Sequence, residues 1–176
     1  MSGPSPLEAQ LTSQLDGPLV VVTVTNGRAR GGCVVGFHSQ CSIEPGRFAV
    51  WLSKANHTYR VALQAERFAV HFLTESDLEV AELFGTTTSD EVDKFAACAW
   101  QPGDGGVPLL AACPNRFVGR RVALLDEGSD HVCVVLEPIE VASEGGFRPL
   151  RHSHVAELVA GHPAEDRPKP RVLEDR

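Results

Sequence analysis

A chain of 176 residues favours one domain, and a domain of that size buries roughly 70% of the surface its unfolded chain exposes, enough for a core without disulfides or metals. Lys and Arg total 16 against 23 acidic residues, a net charge of −7, and the cations are scattered rather than striped, which argues against a nucleic-acid face. Five cysteines without a CxxC spacing, no secretory apolar stretch at the start and no apolar run near the ~20 residues a bilayer needs point to a cytosolic (cytoplasmic) protein with reduced thiols and no membrane segment.

In chain order, residues 1–6 (MSGPSP) are expected to be disordered. Leu7, Leu11 and Leu15 recur every four positions, on one face of a short helix that Ser5 and Pro6 can start and Asp16-Gly17-Pro18 ends. Residues 1–16 are thus expected as a helical arm, lying on the body of the protein or on a partner. The body, 17–160, opens with LVVVTVT at 19–25, a strand, and Asn26-Gly27 is the strongest short hairpin signal in the chain. CVVGF at 33–37 reads as a second strand and RFAVWL at 47–52 as a third, each short and rich in β-branched or aromatic residues. Gly31, Gly32 and Gly36 are dense for a strand and suggest a bulge or backbone brought close to a ligand. Between the two runs, HSQCSIEPG reads as a polar connection with its own Pro-Gly stop.

Asn56 suits the N-cap of a helix over about 57–66, and RFAVHFL at 67–73 is a fourth strand. Thr74 or Ser76 can cap a helix running through Phe84, SDEVDKFAA at 89–97 looks like a helical turn, and PGDGGVP at 102–108 like a loop. Three more strands are expected at 115–125, 131–142 and 147–150, with turns at 128–130 and 144–146. The charged, proline-bearing tail 161–176 has little to bury and is expected to be extended or disordered. About seven short strands with helices after the third and fourth make a small β-barrel with α insertions, an α+β fold.

The stretch 31–59, GGCVVGFHSQCSIEPGRFAVWLSKANHTY, sets strand, polar loop, strand and cationic turn in a row, an order that can hold a flat polar ring near one end and an anion at the other. With ERFAVHFLTESDLEVAELF (66–84), DKFAACAWQPGDGGVPLL (93–110) and GSDHVCVVLEPIEV (128–141), it resembles the flavin reductase-like domain family, in that family's order and spacing over most of the chain. The resemblance implies a Greek-key FMN-binding split barrel, and a homodimer with FMN or FAD near its subunit interface. It also implies hydride transfer from NADH or NADPH to the flavin and, in many members, delivery of reduced flavin to a separate monooxygenase. Neighbouring split-barrel families bind the deazaflavin F420 or haem, so a non-catalytic carrier is the rival reading, and a ligand-free scaffold dimer a third.

On that resemblance, Ser53, Lys54, Asn56, His57 and Thr58 would meet the flavin phosphate at a helix start. Each charge-assisted hydrogen bond there is worth roughly 1.5–3 kcal/mol. The plain alternative is a capped helix beside a solvated lysine. Val34, Val35, Gly36 and Phe37, with Ser39, Gln40, Cys41 and Ser42, would line the ring, largely through main-chain groups; many members carry a Ser/Thr-rich segment where this chain has VVGFHSQ. Lys94 and Phe95 would reach the phosphate or cover the ring, against a solvated lysine beside a core phenylalanine. His131, after Asp130, could hydrogen-bond the nicotinamide or supply a proton, against a histidine tying the turn to the next strand. His71 replaces the Asn common in its strand, and RHSHVAEL replaces the family's HRGRY-like stretch. No metal site is expected at His152 and His154, which lack a carboxylate or thiol partner at ligand spacing.

Overall fold

The computed structural model describes residues 10–86 and 92–158. Most of the expected arm, part of the 89–97 turn and the tail 161–176 lie outside the described residues. Within the arm residues 10–12 are helical, and Leu11 and Leu15 are 70% and 71% exposed.

Strands β1 (Val20–Thr25), β2 (Arg30–Val35), β3 (His38–Ser42) and β4 (Arg47–Ser53) precede helix α1 (His57–Ala62). Then come β5 (Arg67–Phe72), helix α2 (Leu78–Thr86), the short strands β6 (Trp100–Pro102) and β7 (Pro108–Leu110), and the long β8 (Arg116–Leu125) and β9 (His131–Ala142). Seven strands form one antiparallel sheet in the order β2-β1-β5-β8-β9-β4-β3, while β6 and β7 make a separate hairpin.

That order forces the sheet to bend. β2 and β3 are its two edges, yet only residues 36 and 37 separate them in the chain. Laid flat, the edges of seven strands would stand about 29 Å apart, six spacings of about 4.8 Å. The link from Val35 to His38 spans at most about 11 Å. The sheet therefore curls until its margins approach, and strand twist supplies the curvature.

The inside of the curl is filled by Val20, Val22 and Val24 of β1 with Val35, Val50, Leu52, Phe68, Val70, Val132, Val134 and Leu136, and α1 plugs one end with Val61 and Ala62. On the outside, Val21 packs with Leu19, Leu73, Phe84 of α2, Phe95 and Leu110. Being buried on both faces, β1 shows no regular polar alternation, its two threonines aside, which is why it reads as a near-continuous apolar run. Each fully buried aliphatic or aromatic side chain contributes roughly 1.5–3 kcal/mol.

The glycines of β2 answer to crowding. A Cβ at Gly31 would lie 2.9 Å from the Thr58 Cα, and one at Gly32 would lie 2.6 Å from the Phe84 ring. Both helices press on this strand where a side chain would stand. Neither glycine has a positive φ, whereas Gly27 in the β1–β2 turn does, at 83°. There the Asn26 Oδ1 accepts from the N–H groups of Arg28 and Ala29 at 3.0 and 2.8 Å.

Four expectations change. The polar stretch at 38–42 is strand β3 rather than a loop: it pairs with β4 at the sheet margin, where both faces meet solvent. Helix α1 is six residues long, ending at Ala62 instead of near 66. Residues 147–150 make only an isolated bridge between Thr74 and Pro149, not a strand, and the expected loop at 102–108 is largely the β6–β7 hairpin. Ahead of α2 the Asp77 carboxylate accepts from the Thr74 N–H at 2.7 Å and the Thr74 hydroxyl at 2.8 Å, tying the first turn back to Thr74.

Candidate functional site

Where the two margins of the sheet meet, a cavity of about 390 Å³ opens. That lies within the usual range for ligand pockets, roughly 300–1,000 Å³. Three walls make it. One is the end of β2 and the link after it, Val34, Val35, Gly36 and Phe37; the second is the paired ends of β4 and β9, with Trp51, Ser53, Asp130 and His131; the third is α2 with Ala81 and Phe84. Asn56 stands at the α1 end, and His152 and Val155 close the opposite side.

Register explains the second wall. Ser53 pairs with His131 and Trp51 with Cys133, so Trp51, Ser53 and His131 share the face turned away from Leu52 and Val132 in the core. The His131 Nδ1 lies 3.1 Å from the Asp130 carboxylate, and its ring meets Phe37 edge-on at 5.4 Å. Asp130 thus orients the imidazole, and the backbone oxygen of the same residue accepts from the Lys54 N–H.

The polar equipment gathers at one end of an otherwise apolar cavity. Ser53 Oγ accepts from the Ala55 N–H at 3.3 Å, leaving its own O–H to donate. Asn56 precedes α1 in extended backbone and makes no side-chain cap bond. Its half-buried side chain lines the cavity, so its amide brings a donor and an acceptor there. Such groups fit an oxygen-rich ligand whose flat part fills the apolar remainder.

The cavity brings together seven of the expected site residues: Val34, Val35, Gly36, Phe37, Ser53, Asn56 and His131. The other nine lie elsewhere in this chain. Ser39, Gln40, Cys41 and Ser42 form the edge strand β3, zipped to β4 and directed to solvent. Lys54 pairs with Asp126 at 2.6 Å, and that bond holds the Asp126 carboxyl below its ordinary range. The His57 imidazole faces the Arg60 guanidinium at 3.4 Å, and Thr58 is buried against Gly31.

Lys94 is the sharpest departure. Its ammonium is buried, 2% exposed, and donates to the carbonyls of Gly32 and Phe84, both at 3.1 Å. Burial pushes its pKa down. Phe95 packs edge-on between Phe84 and Trp100 in the outer core. The pair fastens α2 to β2, behind the cavity wall instead of in it.

Gly36 meets a side chain of its own protein: a Cβ there would fall 2.4 Å from the His152 ring. His152 was weighed in the sequence only as half of an H-x-H pair. Its partner in that pair turns away, His154 Nδ1 accepting from the Arg151 N–H. Among the described residues no group of three or more metal-ligating side chains gathers. Trp51, 37% exposed on a strand whose neighbours face the core, was also overlooked; a large aromatic on the outward phase of an inner strand is the signal that could have found it. All five cysteines are free, and no described helix is long and apolar enough to cross a membrane.

The family described as "Flavin reductase like domain" matches residues 12–157. Over 126 residues the chain is 29% identical to HsaB, the reductase subunit of a flavin-dependent monooxygenase of Mycobacterium tuberculosis, covering 72% of this chain and 65% of that protein. It is 28% identical over 128 residues to SmoA, an FMN reductase (NADH) of Agrobacterium fabrum, covering 73% and 71%. The chain thus spans just under two thirds of HsaB. Among solved structures, the FMN-binding protein of Thermus thermophilus with bound 1-cyclohex-2-enone superposes with a TM-score of 0.73 at 25% identity, over 85% of this chain and 84% of that one. A curled antiparallel sheet of the same kind and a family match over most of its length together place the chain in the flavin reductase-like domain family.

Proposed function

We propose that the chain is an NAD(P)H-dependent flavin reductase that holds FMN in the cavity between β2, β4 and α2. The observation that carries the reading is the half-buried Asn56 amide with no side-chain cap bond, beside the Ser53 hydroxyl, at the polar end of an apolar cavity of about 390 Å³. FMN held there would supply the acceptor for hydride from NAD(P)H. Asn56 and Ser53 hold the phosphorylated side chain. Val34, Val35 and Phe84 supply the apolar walls that exclude water and fix the ring. His131, braced by Asp130, stands at the rim where the nicotinamide amide would approach, so its ring N–H can orient that group. FMN is preferred to FAD because a relative is named an FMN reductase and a structural relative an FMN-binding protein.

A homodimer fits the same surface, since Phe37, Trp51 and Ile43 are exposed around the cavity and the β3 edge, at 62%, 37% and 85%. A monooxygenase receiving reduced flavin is the matching acceptor, as for the relative named a monooxygenase reductase subunit. The free thiols agree with a cytoplasmic protein. The second reading, a flavin carrier without reductase activity, is favoured by the structural relative named only as FMN-binding.

Titrating FMN with the protein while following flavin fluorescence, then adding NADH and following its oxidation, tests both. Quenching with steady NADH consumption supports the reductase. Quenching without consumption favours the carrier, and no quenching refutes FMN binding.

A further inference from the structure

The C-terminal side of the cavity is held by the opposite end of the chain. The 3-10 turn His152–Val155 carries His152 and Val155 into the cavity wall. Asp16, more than a hundred residues earlier in the chain, binds that turn: its Oδ1 accepts from the Ser153 N–H at 2.8 Å and its Oδ2 from the Ser153 hydroxyl at 2.8 Å. These two bonds draw the Asp16 carboxyl below its ordinary pKa. The Asp16 carbonyl accepts from Arg151 Nη1 at 2.7 Å, the Gly17 carbonyl accepts from the His152 N–H at 3.2 Å, and Pro18 bridges to Arg151. The result fixes the His152 ring between two glycines. Cβ atoms built on Gly36 and Gly17 would lie 2.4 and 3.7 Å from it. Both of its nitrogens are left without a hydrogen bond among the described residues.

The geometry points to Asp16 as a positioning residue of the flavin site, acting through His152, which contacts the bound flavin at the Gly36 side of the cavity. This rests on the flavin reading above. Asp16 touches no ligand itself; it sets the place of the turn, and the turn sets the place of the imidazole. Releasing the latch opens the cavity on one side, so the loss falls on flavin affinity rather than on turnover at saturating flavin.

The test is a double-mutant cycle on the full chain. FMN dissociation constants are read by fluorescence quenching for the wild type, Asp16→Ala, His152→Ala and the double variant, with kcat and the KM for FMN alongside. Each single change raises the dissociation constant about tenfold, as for the loss of one well-made charge-assisted contact, and in Asp16→Ala kcat stays within about twofold while the KM for FMN rises. The double variant is no weaker than the weaker single one, because the two residues act in series. Asp16→Asn, whose Oδ1 still accepts from the Ser153 N–H, recovers most of the affinity.

Additive losses overturn the inference, since Asp16 would then act on stability at large, and so does unchanged affinity in either single variant. If Asp16→Ala fails to fold, Ser153→Ala removes one of the two bonds from the other side and is read in the same cycle. Wild-type protein that does not quench FMN removes the flavin reading and this role with it. Wild-type quenching with indifferent variants removes only the latch.

Discussion

His71 predicts how stability depends on pH. The side chain lies 0% exposed between β1 and the hairpin, its Nε2 accepting from the Leu110 N–H at 3.0 Å and its Nδ1 facing the Val21 carbonyl at 3.2 Å. Those partners fix the neutral tautomer with the proton on Nδ1, because Nε2 must keep its lone pair. Burial is the main cause that pushes the pKa from 6.5 down to about 4, the Arg116 charge adding to it while the Val21 bond opposes. The folded protein therefore takes up this proton only near pH 4, whereas the unfolded chain takes it up near 6.5. The stability due to neutral His71 is complete above pH 6.5, falls as pH drops, and is gone below about 4.

Lowering the pKa from 6.5 to about 4 is worth about 3 kcal/mol over the whole window, of which about 1.4 kcal/mol is lost between pH 7.5 and pH 5.5. The perturbation is His71→Asn, which keeps a donor toward Val21 and removes the titration. Urea unfolding at pH 7.5 and pH 5.5 is the assay. Wild type loses about 1.4 kcal/mol more than the variant on acidification, and the comparison cancels the other titrating groups, His38 among them. Equal losses in the two proteins, or an NMR titration placing His71 near its ordinary value, would refute the reasoning.

Three further outcomes follow from the packing. Gly32→Ala pushes a methyl to within 2.6 Å of the Phe84 ring and costs about 1–3 kcal/mol, read as a lower urea midpoint with an unchanged slope. Lys94→Met removes the ammonium donor from the Gly32 and Phe84 carbonyls and also costs about 1–3 kcal/mol, the lost bonds outweighing the relief of a buried charge. The ratio of FMN to riboflavin affinity stays constant in that variant; a ratio that falls would place the ammonium on the phosphate after all. Asn56→Ala weakens FMN about tenfold in the fluorescence titration while riboflavin, which lacks the phosphate, is barely affected.

Periodicity and turn chemistry made most of the sheet legible. β1, β4, β5, β8 and β9 are read from apolar β-branched runs, and Asn26-Gly27 marks the first hairpin. β3 escaped because an edge strand with both faces in solvent carries no apolar alternation, so HSQCS looks like a loop until β4 is beside it. Of the residues lining the cavity, those at the β2 end and at the β4–α1 turn could be named from the family resemblance, but Lys94 could not be told from a solvated lysine, since its burial depends on α2 folding back over β2. His152 was beyond reach for a like reason: its place is set by Asp16 and Gly36, both more than a hundred residues earlier.

The bond between the two margins of the sheet is covalent instead of laddered, and the cavity sits there. Everywhere else, widening the barrel means breaking rows of backbone hydrogen bonds. At residues 36 and 37 the girth is set by a dipeptide, held by the bond its Phe37 carbonyl accepts from the Trp51 N–H at 2.9 Å and by the packing of Gly36 on the His152 ring. Widening the wall here means turning two residues and breaking those few contacts, where elsewhere it means unzipping a whole ladder.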